Sequence, residues 1–408
     1  MSDESNKLNR RDFLKTAGGA GLASILGSAA AFADPNAPKP KEPNAPAKKF
    51  EPVPRRKLGK TGVMVPILNL GGIFDIIENQ IVLKRAIDWG VNYWDTADCY
   101  NNGNSEVGIG KYFNAHSGSR KDVFLVTKSD SGEPAEIQKL LDRSLSRMKT
   151  DYVDLYFLHG IKDPAELTDD VKNWAEKAKQ ENKIKFFGFS THSNMANCLD
   201  AAAKAGWIDA IMTTYNFREM QNPQMQAAVD ACHKANVGLV AMKWQAKGPL
   251  SESDKKLIRH FIEKGFTEQQ AKLKAVWQDE RIASICSTMG SVAILGTNVA
   301  AALDKTKLTQ ADMDVFNEYA AATCDGYCAG CEAICAAAMP EVPIRDMMRC
   351  AMYHDSYGSR QLARENFAAI DIATRNKMAS LDYSHVEQIC PNRLQIGQIV
   401  KDTVAKLA

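Results

Sequence analysis

Asn92-Tyr93-Trp94-Asp95-Thr96-Ala97-Asp98-Cys99-Tyr100 is a short run of strand formers closed by a carboxylate, then a polar loop that carries a phenol. The turn signal Asn101-Asn102-Gly103-Asn104 follows. Alone, the stretch reads more simply as a strand that stops at Asp beside a Tyr packed on a loop. Two later runs change the weighing. Val123-Phe124-Leu125-Val126-Thr127 ends at Lys128, and Tyr152-Val153-Asp154-Leu155-Tyr156-Phe157-Leu158 ends at His159. A carboxylate, a phenol, an ammonium and an imidazole at the ends of successive strands point to one cleft.

Working outward, strand and helix signals alternate. Strand-like runs lie at Val65–Leu70, Val91–Asp95, Val123–Thr127, Tyr152–Leu158, Ile184–Phe189, Ala210–Tyr215, Val237–Met242 and Ser291–Leu295. Amphipathic segments separate them. Pro134 opens one in which Ile137, Leu140, Leu141, Leu145 and Met148 recur at helical spacing, and Pro223 opens another. Gly90 and Gly206 stand where helices end. Eight such units predict an α/β fold, a (β/α)8 barrel, over residues 55–306. A doubly wound sheet would want a G-x-G-x-x-G turn after its first strand, and Gly71-Gly72 is too little. From Lys307 the alternation stops, and residues 307–408 read as a helical extension with a cysteine cluster.

Lys and Arg number 51 against 49 Asp and Glu, a balance of +2 that leaves no basic footprint for nucleic acid. At the N-terminus, Asn9-Arg10-Arg11-Asp12-Phe13-Leu14-Lys15 precedes a small, weakly apolar run and Ala31-Phe32-Ala33. This reads as a twin-arginine export signal, residues 1–33, and places the protein in the periplasm or otherwise outside the cytoplasm. The run is too short for a good transmembrane helix, and no membrane span is expected in the mature chain. Residues 34–54 hold seven prolines and read as an extended linker.

A phenol with a pKa near 10 is a poor acid at neutral pH. A neighbouring ammonium from Lys128 favours the phenolate of Tyr100, and Asp95 keeps that ammonium charged and in place. His159 adds a hydrogen bond to a substrate oxygen. The set suits protonation of a carbonyl oxygen as hydride reaches its carbon.

These segments resemble the aldo-keto reductase family. Asn92 to Ala97, then Tyr100, then Ser105-Glu106-Val107-Gly108-Ile109-Gly110 is similar to its signature, and the Lys128 and His159 segments match in order and spacing. The resemblance runs from about Arg55 to Lys305. It implies hydride transfer between NADPH or NADH and a small carbonyl or alcohol substrate, with Tyr100 as general acid, Lys128 and Asp95 tuning it, and His159 orienting the carbonyl. It also implies that Ser190 holds the nicotinamide amide, that Tyr215 stacks on the ring, and that Gly296-Thr297-Asn298 forms a phosphate-binding turn after the last strand. The chain departs from the family pattern at Thr191, in place of Asn, at Met212, in place of Gln, and in lacking an Arg or Lys soon after Asn298.

Cys324, Cys328, Cys331 and Cys335 form C-x3-C-x2-C-x3-C. Close thiolates suit an iron–sulfur or zinc site, an exported protein allows disulfides, and the spacing also suits packed thiols on one helix face. Gly326 and Gly330 argue against an uninterrupted helix. Tyr327 to Cys331, Val342-Pro343-Ile344-Arg345 and Cys390-Pro391-Asn392-Arg393 resemble the ferredoxin-like extension of some aldo-keto reductases. That resemblance implies one [4Fe–4S] cluster on Cys324, Cys328, Cys331 and Cys335, with Cys390 as a substitute for one of them, and an electron-transfer partner. The twin-arginine machinery is the other expected partner, and a cofactor loaded before export is implied. The competing reading is a non-catalytic barrel scaffold, or a protein that carries electrons or binds a partner through its extension.

Overall fold

The structure, a computed structural model, describes residues 51–246 and 252–408. The expected signal, 1–33, and most of the linker lie outside them. Strands β3 (Leu68–Gly71), β4 (Tyr93–Asp95), β5 (Phe124–Ser129), β6 (Val153–Leu158), β7 (Ile184–Thr191), β8 (Ala210–Thr214), β9 (Gly238–Met242) and β10 (Ile282–Thr288) close a barrel in the order β10-β3-β4-β5-β6-β7-β8-β9. All eight pairings are parallel. The hairpin of β1 (Arg55–Lys57) and β2 (Met64–Pro66) precedes the barrel, and its Leu58 and Val65 pack with Tyr93, Val126, Leu155 and Phe157 in the barrel interior. The first expected strand, Val65–Leu70, is thus split at Ile67 between hairpin and barrel.

One strand prediction fails. Ser291–Leu295 is not a strand but the start of the helix Val292–Leu303. Ser291 caps it, its hydroxyl accepting from the Ile294 N–H, and this local bond overrides the strand-like run Val292-Ala293-Ile294-Leu295. The eighth strand is Ile282–Thr288, where Ile282 and Ile285 face the helices across an irregular register and Ala283 faces the barrel interior.

Helix punctuation follows the sequence closely. Pro134 and Pro223 occupy first turns, and Gly206 ends its helix with φ of 78°. Beyond Leu303 the described chain is helical to Leu407 and builds its own core, with Met347, Cys350, Phe367, Met378, Val386 and Val400 buried. No helix among the described residues is long and apolar enough to cross a membrane.

Candidate active site

Strand period carries the site. In a strand, alternate side chains share a face. Tyr93, Val126, Leu155 and Phe157 fill the barrel interior, so Asp95, Lys128 and His159, each two residues beyond an inward neighbour, face the C-terminal mouth. Active sites form on that face of such barrels. Lys128 Nζ donates to Asp95 Oδ1 at 2.6 Å and to the Thr96 carbonyl at 2.7 Å. Both side chains are almost wholly buried, 1% and 2% exposed. Asp95 Oδ2 has no partner among the described residues. Burial raises the Asp95 pKa, and the Lys128 charge and hydrogen bond oppose it without cancelling it.

Tyr100 reaches the mouth on a loop that the sequence bends sharply. Asn101 and Asn102 are left-handed, with φ of 51° and 55°, a conformation asparagine tolerates. Gly103 follows at φ 86°, and a Cβ there would stand 2.5 Å from the Arg147 guanidinium. The helix Pro134–Met148 braces this loop. Arg143 donates twice to the Asp98 carboxylate, at 2.8 and 2.6 Å, and Arg147 reaches both Asp98 and the buried Glu106. Lys128 Nζ stands 4.9 Å from the Tyr100 ring centroid, and the His159 ring meets Tyr100 edge-on at 5.7 Å.

The expected lowering of the Tyr100 pKa is not what the geometry gives. Burial, and next the Asp95 carboxylate, raise it well above the ordinary phenol value. The reason is the aim of Lys128, which donates to Asp95 and Thr96 rather than to the phenol. Tyr100 is therefore a protonated acid, held ready rather than half ionised. Replacing Asp95 by Asn removes an anion that holds this pKa up and frees Lys128 toward the phenol. Both effects lower the Tyr100 pKa. The alkaline limb of the reduction rate should move to lower pH in Asp95→Asn, which a pH–rate profile measures.

Sequence reasoning missed Asp130. Its Oδ1 lies 2.5 Å from His159 Nδ1, and Cys99 Sγ lies 3.6 Å from the same nitrogen. Burial pushes the Asp130 carboxyl up, but the bond from His159 outweighs it and leaves the carboxyl below its usual range. An ionised carboxylate only accepts, so Nδ1 carries the hydrogen and Nε2 is left for a ligand. The signal was available, since Asp130 is two residues beyond the inward Lys128.

The residues expected to hold a nucleotide are not brought together. Ser190 lies on the inner face of β7, and its hydroxyl accepts from the Gly160 N–H at 3.0 Å. Tyr215 does not face the mouth. In β8 the inward residues are Ala210 and Met212, so Tyr215 follows Ile211 outward into the helix layer. Its phenol donates to Asp279 at 2.5 Å and accepts from Gln226 at 2.9 Å. Ring stacking by Tyr215 is thereby excluded in this arrangement. Gly296, Thr297 and Asn298 lie inside the helix Val292–Leu303 rather than in a turn. Thr297 donates to the Ala293 carbonyl and Asn298 to Ser287 Oγ. The anion-friendly position is the helix start at Ser291, with no acidic residue in the first turn.

The extension covers the mouth. Gly330, at φ 74°, lies against β7's end so closely that a Cβ would sit 2.6 Å from the His192 carbonyl, and its own carbonyl accepts from the Asn194 N–H. Arg218 donates to the Ala320 carbonyl and Thr323, and Asn216 to the Tyr327 phenol. The helix Ile344–Ala351 runs on into a π turn, Met352–Ser356, which carries Tyr353 over the Lys243 ammonium at 5.2 Å. Such turns recur at functional sites. Burial pushes the Tyr353 phenol up, but Lys243 and then Arg349 outweigh it and bring the pKa down to about 8.

Cys328, Cys331, Cys335 and Cys390 line one small apolar cavity in the extension. Cys324, expected in that set, is exposed and stands outside it. The 3-10 turn Cys324–Gly326 separates it from its neighbours, whereas the cap after the helix Ser384–Ile389 brings Cys390 in. All ten cysteines are free thiols. Burial pushes Cys328 up to about 12. A tetrahedral zinc draws its sulfurs to within about 3.8 Å of one another. Among the described residues, the one Cys, His, Asp and Glu trio with ligand atoms within 4.8 Å is Cys99, Asp130 and His159.

Residues 7–27 match the twin-arginine translocation signal sequence, so the chain is exported by that route. The aldo-keto reductase yakc [NADP(+)] of Schizosaccharomyces pombe is 30% identical over 221 residues, 49% of this chain and 63% of that protein. The L-galactose dehydrogenase of Arabidopsis thaliana is 25% identical over 291 residues, 64% of this chain and 90% of that one. Among solved structures, the thermostable aldo-keto reductase Tm1743, in complex with the inhibitor epalrestat, has a TM-score of 0.56 and 26% identity, covering 65% of this chain and 99% of that one. The chain thus spans less than two thirds of the yeast relative, while about a third of the chain lies beyond the part that aligns with Tm1743. The Aldo/keto reductase family model matches residues 74–322, more than half of the sequence, and the chain belongs to that oxidoreductase family.

Proposed function

We propose that the barrel reduces a small carbonyl compound, or oxidises the corresponding alcohol, with a nicotinamide cofactor. The observation that carries this reading is the buried Lys128–Asp95 pair beneath a protonated Tyr100, with His159 across the mouth. A bound reduced nicotinamide supplies hydride. Tyr100 gives its hydroxyl proton to the substrate oxygen as negative charge develops there. The phenolate left behind is stabilised by the third Lys128 N–H, free of Asp95 and Thr96. His159 Nε2, aimed by Asp130, holds the substrate oxygen in line. Ser190, inward at the end of β7, suits the carboxamide. The start of the helix Val292–Leu303, with no acidic residue in its first turn, suits a phosphate. The fit is incomplete, because Tyr215 offers nothing to a nicotinamide ring. The test is turnover of an aldehyde panel with NADPH and with NADH, followed by the absorbance of reduced nicotinamide. Consumption that tracks enzyme concentration supports the reading, and none with either nucleotide overturns it.

The thiols of the extension support a second element, an iron–sulfur centre on Cys328, Cys331, Cys335 and Cys390. Four thiols around one cavity, with no three of them among the described residues drawn together as a single zinc would hold them, suit a polynuclear centre whose thiolates bind different iron atoms. Metal binding would deprotonate Cys328 and Cys331, whose pKa burial raises. The centre would supply one-electron transfer. Cys390→Ser should remove most bound iron and the associated visible absorbance, whereas Cys324→Ser should leave both, as measured by iron and sulfide analysis of anaerobically purified protein.

A further inference from the structure

A cavity of about 420 Å³ lies between the barrel mouth and the extension. That is the size of a pocket for a small organic molecule. Its barrel wall comes from strand ends, with His192 after β7, Thr214 on β8 and Lys243 after β9, and its roof from the extension, including Arg345 and Arg349. Arg393 adds a fourth cation at the rim, and Asp355 is the one carboxylate on the wall. Asp355 is already engaged by Lys406 and His354.

Three features of this wall call for an anionic ligand. Lys243 and Arg349 share only the Tyr353 phenol as a hydrogen-bond partner on this wall, and no described carboxylate lies within ion-pair distance of Lys243. Arg349 reaches Asp346 only at 3.9 Å, and its Nε has no partner among the described residues. His192 Nδ1 and Thr214 Oγ1 are buried polar atoms on the same wall without partners among those residues. Buried polar groups are almost always satisfied, so orphans on one cavity mark the place of a ligand or ordered water. Burial and then the surrounding cations lower the His192 pKa, which keeps its ring neutral and adds no charge of its own.

The cavity abuts the reacting groups. His192 on its wall lies against Gly160, the residue after His159, where a Cβ would stand 3.6 Å from His192 Cε1. A ligand held at Lys243 and Arg349 would extend toward Tyr100 and His159. Resting on the carbonyl-reductase reading above, we propose that this cavity binds an organic carboxylate through Lys243 and Arg349, with His192 and Thr214 as further hydrogen-bond partners, and that the substrates are carbonyl compounds bearing a carboxylate. The extension is then part of the substrate site and not merely an appended electron carrier. A carboxylate meets the planar Arg349 fork and the Lys243 point charge with charge-assisted hydrogen bonds.

The test compares 4-carboxybenzaldehyde with its uncharged methyl ester, by calorimetry on the full chain without nucleotide. Inorganic phosphate is a third probe. The acid should bind at least about tenfold more tightly than the ester, the loss expected when one charge-assisted contact is removed. Arg349→Gln and Lys243→Met should each weaken acid binding by about tenfold or more while leaving ester binding unchanged. Arg349→Lys, which keeps the charge, should retain more of it. Phosphate should bind less tightly than the acid. Equal binding of acid and ester, or acid binding untouched in both Arg349→Gln and Lys243→Met, would overturn the proposal, and phosphate binding tighter than the acid would assign the site to phosphate instead. Because binding is read without turnover, the two readings fail separately. Acid bound but never reduced condemns the reductase reading, and ester and acid reduced with no preference in binding condemns this one.

Discussion

Tyr100→Phe should lower the rate of carbonyl reduction by about 10²- to 10⁴-fold, the range that a positioned general acid contributes. The rest of the protein should hardly notice. The phenol makes no hydrogen bond that braces its loop, which is held by Asp98, Arg143, Arg147 and Glu106 instead. Its ring contacts with His159 and Lys128 survive in phenylalanine. Unfolding stability should therefore stay within about 1 kcal/mol of the parent, as for a substitution that empties no cavity and strands no charge. Nucleotide affinity should also be unchanged. Steady-state kinetics on the variant, with denaturant unfolding as the control, separates the catalytic reading from a scaffold reading, in which this substitution alters nothing.

Lys128→Met has the opposite signature, a large effect on both activity and stability. The side chain is 1% exposed and its partner Asp95 2%. Methionine fills similar volume but leaves the Asp95 carboxyl and the Thr96 carbonyl without their donor. Removing one member of a buried pair costs about 3–5 kcal/mol, because the other charge stays behind uncompensated. Asp95, whose pKa burial already raises, would lose the cation that opposes that rise and move further up. The variant should then be closer to its parent in stability at acid pH, where that carboxyl is protonated, than at neutral pH. Turnover should fall as well, since the phenolate formed on proton donation loses the ammonium that stabilises it. Urea unfolding at two pH values, with kinetics beside it, checks both halves.

Much of the barrel is visible in the chain because its period is simple. Asp95, Lys128 and His159 each close a run whose inward residues alternate, and the same count places all three on one face. That count would also have excluded Tyr215. Ala210 and Met212 face inward, so a residue of opposite parity faces the helices, whatever a motif match suggests. The eighth strand was obscured by chemistry of another kind. Val292-Ala293-Ile294-Leu295 has the composition of a strand, and only the capping hydroxyl of Ser291 turns it into a helix. Ile282 to Thr288, broken by Ser284, Ser287 and a register shift, hides its period.

The extension was legible in composition but not in arrangement. Spacing suggests that Cys324 joins its neighbours in sequence, yet the ligand-like group is completed by Cys390, more than fifty residues away. No local pattern reports which distant cap a helical domain folds inward. Tyr353, Arg349 and Lys243 were silent for the same reason. They acquire meaning only when the helix Ile344–Ala351 and its π turn close over β9.

The proposed reaction turns on hydride transfer to a carbonyl carbon at Tyr100. The most direct measurement is isotopic. Full-length protein, purified anaerobically, is given an aldehyde and reduced nicotinamide nucleotide carrying deuterium at the transferable position, and the alcohol is analysed by mass spectrometry. The expected result is one deuterium on the carbinol carbon, lost in step with turnover in Tyr100→Phe. Alcohol formed without deuterium, with its reducing equivalents drawn from elsewhere, would contradict it.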